Sequence, residues 1–193
     1  MKVILINGSR REHGCTRTAL DEVAGELKAC GIESEIIFIG NRAVNGKINE
    51  AVSEVGEKMR EADGLIVGSP VYYASPSGEV IAFLDRLFWN YGSEMMHKPG
   101  ASVVSCRRGG NTASFDVLNK YFTITQMPVV SSQYWNMVHG NTPDEVRQDA
   151  EGLQTMRTLA RNMAWLLECI RAGREKGIAL PAQEERQGTN FIR

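Results

Sequence analysis

The sequence opens with MKVILINGSRREHGCTRTAL (Met1–Leu20), in which an apolar run, a polar loop and the start of a helical pattern follow one another. Val3–Ile6 is a continuous apolar run, which is typical of a strand buried on both faces. Leu20, Val23 and Leu27 then recur at the spacing of a helix with one apolar face. A buried strand followed at once by such a helix is the repeating unit of α/β proteins. The opening stretch therefore predicts a parallel sheet covered by helices.

The same unit recurs along the rest of the chain. Further apolar runs predict strands two to five at Glu35–Ile39, Leu65–Val67, Ala101–Ser105 and Met127–Val130. The start signal at Thr142 and Pro143 predicts one last helix, which continues to about Ala172. Five such units match a flavodoxin-like, three-layer α/β sandwich, with a five-stranded parallel sheet in the order 2-1-3-4-5 and helices on both faces. We assign residues 1–173 to this domain and interpret 174–193 as a tail and candidate oligomer arm.

The composition excludes several classes of protein. Of the 193 residues 42% are hydrophobic, enough for the core of one domain, and the net charge is −1. A nearly neutral chain has no general attraction to polyanions or anionic membranes, so we expect neither nucleic acid nor a membrane as a partner. The start MKVILING lacks the pattern of a signal peptide, and no run is long enough to span a bilayer. We therefore expect a soluble, cytoplasmic protein.

The cysteines give no sign of a metal site or of a disulfide framework. All four, Cys15, Cys30, Cys106 and Cys169, lie far apart, and none forms a CxxC pair. Zinc and iron–sulfur sites and small disulfide-rich folds need closer or paired cysteines. We expect reduced thiols and no metal ligands.

Three unusual loops follow the predicted strands one, three and four. In a sheet of this type ligands bind beyond the carboxyl ends of the strands, so the three loops should meet at one site. The first loop can bind a phosphate through backbone N–H groups at the start of its helix. The hydroxyls of Ser9 and Thr16 and the guanidinium of Arg11 can add hydrogen bonds, and Gly14 allows close approach. These residues alone leave open a simple turn with solvated arginines.

Spacing tests the competing motifs. The Walker A and dinucleotide-binding patterns both fail in the first loop. A cysteine-dependent phosphatase would carry an arginine six positions after its nucleophile. Asp21 stands six positions after Cys15, and Thr112 stands six positions after Cys106. We therefore assign no nucleophile, and we assign no other catalytic residue.

The second loop, GSPVYYASPSG (Gly68–Gly78), favours a flat ligand. Val71, Tyr72 and Tyr73 are consecutive, so they cannot all be core residues. Exposed aromatic rings on a rigid loop suit a planar, partly apolar ligand with polar edges. The alternative is that the tyrosines pack on neighbouring helices or on a partner subunit.

The third loop, SCRRGGNT (Ser105–Thr112), can bind the polar edge of such a ligand. Gly109 and Gly110 offer free backbone N–H groups, and Arg107 and Arg108 offer two guanidiniums. Such donors hydrogen-bond ring carbonyls and stabilise negative charge on a reduced ring. A solvated corner before the next helix is the alternative. Taken together, a phosphate site, an aromatic wall and a charged edge describe a mononucleotide with a planar ring, which is FMN.

The motifs of these loops also carry a family resemblance. GSRREHGCT after strand one, GSPVYY after strand three, FLDR at Phe83–Arg86 and the Arg-Arg-Gly-Gly loop resemble the NADPH-dependent FMN reductase-like branch of flavodoxin-fold proteins, over about residues 1–170. The resemblance implies that the first loop holds the FMN phosphate, the second lines the isoalloxazine and the third meets its other edge. The expected cofactor-binding residues are Ser9, Arg11, Gly14, Cys15, Thr16, Pro70, Val71, Tyr72, Tyr73, Ser105, Cys106, Arg107, Arg108, Gly109 and Gly110.

The sequence departs from the family pattern in three places. Arg10 replaces a proline, and Cys15 replaces an asparagine, which weakens one expected hydrogen bond to the phosphate. Related flavoproteins often carry a cysteine-rich segment where this chain has Gly40–Lys47, and some bind an iron–sulfur cluster there. Because no cysteine lies between Cys30 and Cys106, we expect no iron–sulfur cluster.

The resemblance implies an FMN-dependent oxidoreductase. Electrons would pass from NADPH or NADH through bound FMN to a quinone, an azo or nitro compound, a free flavin or a metal chelate. A flavodoxin-type electron carrier and a non-enzymatic flavin-binding sensor or interaction module are the alternatives, although flavodoxin-type carriers are typically strongly acidic. Apolar residues on more than one face of the last helix further predict a homodimer or homotetramer.

Overall fold

The predicted strand–helix alternation is present in the computed structural model, which describes residues 1–189 and 191. The strands are β1 (Lys2–Asn7), β2 (Glu33–Phe38), β3 (Gly64–Tyr72), β4 (Ser75–Pro76), β5 (Gly100–Cys106) and β6 (Met137–His139). The helices are α1 (Cys15–Ala29), α2 (Ile48–Glu61), α3 (Gly78–Tyr91), α4 (Asn111–Ile124), α5 (Pro143–Gln148) and α6 (Ala150–Glu175), with a short 3₁₀ helix at Gly92–Met95.

The sheet has six strands rather than the predicted five. Five of them are parallel, in the order β2-β1-β3-β5-β6, and the two-residue β4 pairs antiparallel with the end of β3. When only the parallel strands are counted in chain order, this is the predicted 2-1-3-4-5 arrangement. The sixth strand arises because the loop after β3 folds back on itself as a hairpin.

The fifth parallel strand lies elsewhere than predicted. We expected it at Met127–Val130, but β6 pairs with the end of β5, and Val129 forms only an isolated bridge with Gly100. Met127 and Val130 are each 4% exposed. The stretch makes two backbone hydrogen bonds with Gly100 of β5, and its apolar character reflects burial of Met127 in one core layer and of Val130 in the other.

The predicted last helix is two helices. The chain breaks at Asp149 (φ −76°, ψ 79°), whose carboxylate accepts hydrogen bonds from the backbone N–H of Gly152 at 2.9 Å and of His139 at 2.6 Å. Asp149 thus begins α6 and ties it to the end of β6. The predicted start signal is confirmed, because Thr142 caps α5 by accepting from the N–H of Glu145 at 3.2 Å.

Two apolar layers cover the sheet. Val3 and Leu5 pack toward α1 and α6, whereas Ile4 and Ile6 pack toward α2, α3 and α4, and all four side chains are fully buried. The continuous apolar run of β1 is thus explained by burial on both faces. Parallel pairing then brings the carboxyl ends of β1, β3 and β5 to one edge of the sheet, with their loops.

The tail contains no helix or strand within its described residues. α6 ends at Glu175, so the predicted boundary at 173 falls in its last turn. Gln183 contacts the body of the domain by accepting a hydrogen bond from Gln126 Nε2 at 3.1 Å. Positions 190, 192 and 193 of the predicted oligomer arm lie outside the described residues. None of the described helices is both long enough and apolar enough to cross a membrane.

Candidate functional site

The three loops meet at a cleft of about 190 Å³ beyond the carboxyl ends of β1, β3 and β5. Its lining residues are Ser9, Arg11, Gly14, Cys15, Thr16, Pro70, Val71, Tyr72, Ser105, Cys106, Arg107, Gly140 and Asn141. Each loop contributes to this list, so the structure brings together the segments that the sequence places far apart. The cleft is therefore the candidate cofactor site.

The first loop is held from inside by the last residue of β1. Asn7 is fully buried, and its amide donates to the carbonyl of Glu12 at 2.9 Å and accepts from the N–H of Ser9 at 3.2 Å. The Ser9 hydroxyl in turn accepts from the N–H of Arg11 at 3.1 Å. A buried amide that is satisfied on both sides fixes the loop backbone against the start of α1.

The start of α1 fits an anionic group. Its cap residue is Gly14, which has no side chain to accept from the first N–H groups, and its first turn contains no acidic residue. Uncapped N–H groups and the helix dipole attract negative charge. Arg11 adds a cation at the same place, and no described residue forms an ion pair with it. This donor set suits a phosphate monoester.

A buried pair of hydroxyls joins the first loop to the third. Thr16 Oγ1 and Ser105 Oγ lie 2.8 Å apart, and the two residues are 1% and 4% exposed. When Ser105 is the donor in this pair, the Thr16 proton is free for a ligand. The pair therefore positions the Thr16 hydroxyl at the phosphate end of the cleft.

Neither cysteine of the cleft is poised as a nucleophile. The Cys15 thiol donates to the carbonyl oxygen of Gly140 at 3.6 Å, and burial raises its pKa above the ordinary value. Burial also raises the pKa of the Cys106 thiol. Because the thiolate is the reactive form, both groups are less reactive at neutral pH than an ordinary thiol. This agrees with the spacing argument against a nucleophile.

The second loop is a tight hairpin. Val71 pairs with Pro76 and Tyr72 with Ser75, which leaves Tyr73 and Ala74 at the turn with φ of 51° and 57°. Two residues with positive φ are unusual without glycine, and such strain is often found at binding sites. Tyr72 lines the cleft at 39% exposure, whereas Tyr73 is fully exposed and lies outside it.

Serine side chains brace the second loop against the first. Ser77 caps α3 by accepting from the N–H of Val80 at 3.2 Å, and its hydroxyl donates to the carbonyl of Gly8 at 2.8 Å. The N–H of Ser77 donates to the hydroxyl of Ser69 at 3.0 Å. The N–H of Gly8 donates to the carbonyl of Gly68 at 2.9 Å. The wall and the phosphate end of the cleft are thus held in one hydrogen-bonded unit.

The third loop is divided between the cleft and a neighbouring cavity. Arg107 lines the cleft, but Arg108 lines a neighbouring cavity, and Gly109 is exposed outside the cleft. Gly110 caps α4 with φ of 89°, a conformation that favours glycine, and it lies against Ala74 of the hairpin. Tyr73, Arg108, Gly109 and Gly110 are therefore the predicted residues that do not line the cleft.

Sequence reasoning missed three residues at this site. Gly140 and Asn141 line the cleft, and they reach it because β6 ends at His139. Gly40 lies under the first loop, where an added Cβ would stand 1.8 Å from the carbonyl oxygen of Ser9. If the last strand had been predicted at its true position, Gly140 and Asn141 would have been recognised as residues of the loop that follows it. Gly40 follows the edge strand β2, and nothing in the sequence around it indicates contact with the first loop.

Comparison with known proteins gives consistent family and fold relationships. A family model described as NADPH-dependent FMN reductase matches residues 1–142. An iron-sulfur flavoprotein of Methanocaldococcus jannaschii is 31% identical over 192 residues, covering 89% of this chain and all of that protein. An NADPH azoreductase of Bacillus sp. strain OY1-2 is 32% identical over 123 residues, covering 62% of this chain and 65% of that protein.

The fold likeness extends to solved structures. A flavodoxin from the domain Archaea superposes with a TM-score of 0.64 at 15% identity, covering 87% of this chain and 99% of that chain. The flavodoxin-like fold is therefore confirmed.

The cysteines of this chain do not fit an iron–sulfur cluster like the one that the archaeal relative's name implies. Such clusters need several cysteine thiolates at one place. Cys30 and Cys169 are exposed, at the end of α1 and on α6, so only Cys15 and Cys106 share one place, the cleft. Among the described residues, no group of three histidine, cysteine or acidic side chains is arranged to hold a metal.

Proposed function

The chain belongs to the NADPH-dependent FMN reductase family, and on that premise we propose that it is an FMN-dependent oxidoreductase using NADPH or NADH as electron donor. The observation that carries the proposal is the cleft, where the uncapped start of α1 and the aromatic hairpin after β3 face the same space. An anion site beside an aromatic wall suits a mononucleotide with a planar ring. Its electron acceptor is a quinone, an azo or nitro compound, a free flavin or a metal chelate.

Different residues of the cleft would bind different parts of the cofactor. Ser9, Arg11 and the N–H groups at the start of α1 would hold the phosphate. Pro70–Tyr72 would line one side of the ring, and Arg107 its polar edge. Bound FMN supplies two-electron and one-electron chemistry, while the protein binds, orients and tunes it.

Arg107 is the residue that we expect to tune the cofactor. No described residue forms an ion pair with it, so its charge is available to the cleft. A guanidinium beside a ring that gains negative charge on reduction stabilises the reduced form. We assign no side chain a proton-transfer role.

We further propose that FMN is the sole redox cofactor of this chain. The sequence has no cysteine between Cys30 and Cys106, and the cysteine placement described above supports the same conclusion.

The thiols carry no disulfide, which supports a cytoplasmic location.

Anaerobic mixing of the FMN-loaded protein with NADPH, and separately with NADH, tests the proposed activity. We expect rapid bleaching of the flavin absorbance by one of the two nucleotides. If neither bleaches the flavin, the protein is an electron carrier of the flavodoxin type rather than a reductase. A protein that fails to take up FMN would leave only a non-flavin role.

We also propose that the protein self-associates. The expected surplus of apolar surface on the last helix is mostly buried, since Met156, Leu159 and Met163 are fully buried against the sheet. Large apolar side chains elsewhere are exposed instead, among them Trp89 at 89% and Trp165 at 68%. Exposed tryptophans of this size are typical of protein interfaces.

A further inference from the structure

A second cavity, of about 400 Å³, lies beside the cofactor cleft. Arg107 lines the cleft and Arg108 the cavity, while Gly140 lines the cleft and His139 the cavity. Neighbouring residues of the third loop and of the end of β6 therefore line both spaces, so the cavity adjoins the cleft. A molecule in the cavity would lie next to the ring edge of the cofactor site.

One wall of the cavity is aromatic. Tyr134 and Trp135 have ring centroids 4.9 Å apart with a 57° tilt, and they are 54% and 50% exposed. The buried side chain of Met137 also lines the space. Two half-exposed aromatic rings and a thioether provide surface for stacking a planar ring. A cavity of this volume is within the range of small-molecule sites.

The charged groups of the cavity disfavour an anionic ligand. Arg108 is the one arginine or lysine in the lining, whereas Asp149 and Glu151 carry two carboxylates. The Asp149 carboxylate already accepts hydrogen bonds from the backbone N–H groups of His139 and Gly152. A phosphate would meet more negative than positive charge here, so the cavity disfavours the 2′-phosphate of NADPH.

The lining of the cavity contains both hydrogen-bond donors and hydrogen-bond acceptors. Arg108 and Thr112 can donate, while Glu151 and the amide oxygen of Asn111 can accept. A quinone has oxygen atoms at opposite ends of a planar ring that accept when oxidised and donate when reduced. Charge, shape and hydrogen bonding therefore favour one class of ligand.

We propose that this cavity binds the electron acceptor, and that the acceptor is a quinone stacked on Tyr134 and Trp135 with an oxygen on Arg108. The inference rests on the proposed function and adds a site to it. The overall reaction balances, since NADPH, one proton and the quinone give NADP⁺ and the hydroquinone. The quinone gains two electrons and two protons, and bound FMN would supply the electrons.

Equilibrium dialysis of duroquinone against the oxidised, FMN-loaded protein tests the site without any electron donor. All ring positions of duroquinone are substituted, so it does not add to exposed thiols such as Cys30. We expect Trp135→Ala to weaken binding at least tenfold. The control is Ile124→Ala, which removes an exposed apolar side chain twelve positions beyond Thr112, about 18 Å along α4. The control should bind duroquinone within twofold of the wild type.

Steady-state kinetics give the second readout. With NADPH in excess, we expect the KM for duroquinone to rise at least tenfold in Trp135→Ala, with a smaller change in kcat. If Trp135→Ala does not fold, Tyr134→Ala takes its place. Unchanged binding in the cavity variant, or no saturable uptake by the wild type, would overturn the inference. Failure of NADPH and NADH to bleach the flavin would instead overturn the proposed function, while the dialysis would still decide the cavity.

Discussion

Gly40 controls the first loop although it lies outside the loop. Its Cα faces the carbonyl of Ser9 so closely that an added Cβ would stand 1.8 Å from that oxygen. Backbone cannot move aside as a flexible side chain can, so Gly40→Ala must displace the loop. We expect the free energy of unfolding to fall by about 2 kcal/mol and FMN affinity to fall at least tenfold. Urea denaturation and titration of FMN fluorescence measure the two effects.

Gly25 provides the matched control for Gly40. It is exposed on α1, and nothing lies within 4 Å of an added Cβ. Gly25→Ala should raise stability by about 0.5–1 kcal/mol through helix propensity and leave FMN affinity unchanged. If Gly40→Ala bound FMN as tightly as Gly25→Ala does, the first loop would not be the phosphate site.

Cys15 provides a second test at the level of one residue. Burial raises the pKa of its thiol, so less thiolate is present in the folded chain than in the unfolded chain near pH 8. In a variant that keeps Cys15 and replaces Cys30, Cys106 and Cys169 by serine, a disulfide reagent should label the folded protein at least tenfold more slowly than the urea-unfolded protein. Equal rates would mean that burial does not suppress the thiolate of Cys15, and faster labelling of the folded protein would identify an activated thiol.

The elements differ in how well the sequence predicts them. β1, β3 and β5 are central strands, and burial on both faces leaves a continuous apolar run that is readable at once. At the sheet edge that signal fails, because Met127 and Val130 are buried without belonging to a strand, whereas β6 has only three residues. The break at Asp149 carries no proline, and Asp149 combines a local cap on the N–H of Gly152 with a tertiary hydrogen bond from the N–H of His139 that no local pattern shows.

The same limit applies to the candidate site. The loops after β1, β3 and β5 contain local signals, such as glycines, hydroxyls and consecutive tyrosines, and they supply most of the cleft. Gly140 and Asn141 follow the misplaced edge strand, so their position depends on pairing that no local pattern shows. Arg107 and Arg108 are neighbouring residues of the same type. Only the three-dimensional course of the loop determines that Arg107 lines the cleft and Arg108 the neighbouring cavity.

Glu35 joins the edge strand β2 to its neighbours. Its carboxylate accepts from Lys2 of β1 at 2.8 Å and also from Lys58 of α2, and these hydrogen bonds lower its pKa. A lowered pKa stabilises the fold above the unfolded value of 4.5, and this contribution is lost as pH falls through the folded value. The three side chains are partly exposed, so Glu35→Gln should cost only about 0.5–1 kcal/mol at pH 7.

Urea denaturation at pH 7 and at pH 3 checks the sign of this effect. We expect the difference between Glu35→Gln and the wild type to shrink at pH 3. Glu33→Gln is the control, because Glu33 is an exposed residue of the same strand for which no ion pair is found among the described residues. A Glu35→Gln difference that is as large at pH 3 as at pH 7 would mean that the ion pairs do not stabilise β2.

The hairpin between β3 and β4 stores backbone strain at the cleft. Ala74 has φ of 57°, which costs an L-residue about 1–2 kcal/mol and glycine nothing. After allowance for the greater chain entropy of glycine, Ala74→Gly should raise stability by about 0.5–1 kcal/mol. Thermal unfolding of the cofactor-free protein measures this. Ala113→Gly on the exposed side of α4 is the control and should lower stability, so a loss in both variants would contradict the strain at Ala74.

At the scale of the whole molecule, the two most exposed tryptophans lie on opposite sides of the sheet. Trp89 is on α3, in the layer with α2 and α4, and Trp165 is on α6, in the layer with α1. A single twofold interface can cover only one of them, whereas two different twofold axes cover both and produce a tetramer with D2 symmetry. We therefore propose a homotetramer rather than a homodimer.

Sedimentation of tryptophan variants tests this assembly. The wild type should sediment at four times the chain mass of 21.4 kDa. Trp89→Glu and Trp165→Glu each place a charge in one interface, so each variant should dissociate to a dimer, and the double variant should be a monomer. Gln154→Glu, a charge added at another exposed position of α6, should leave the tetramer intact. A wild type at 21.4 kDa would exclude self-association, and a dimer sensitive to only one of the two substitutions would restrict it to a single interface.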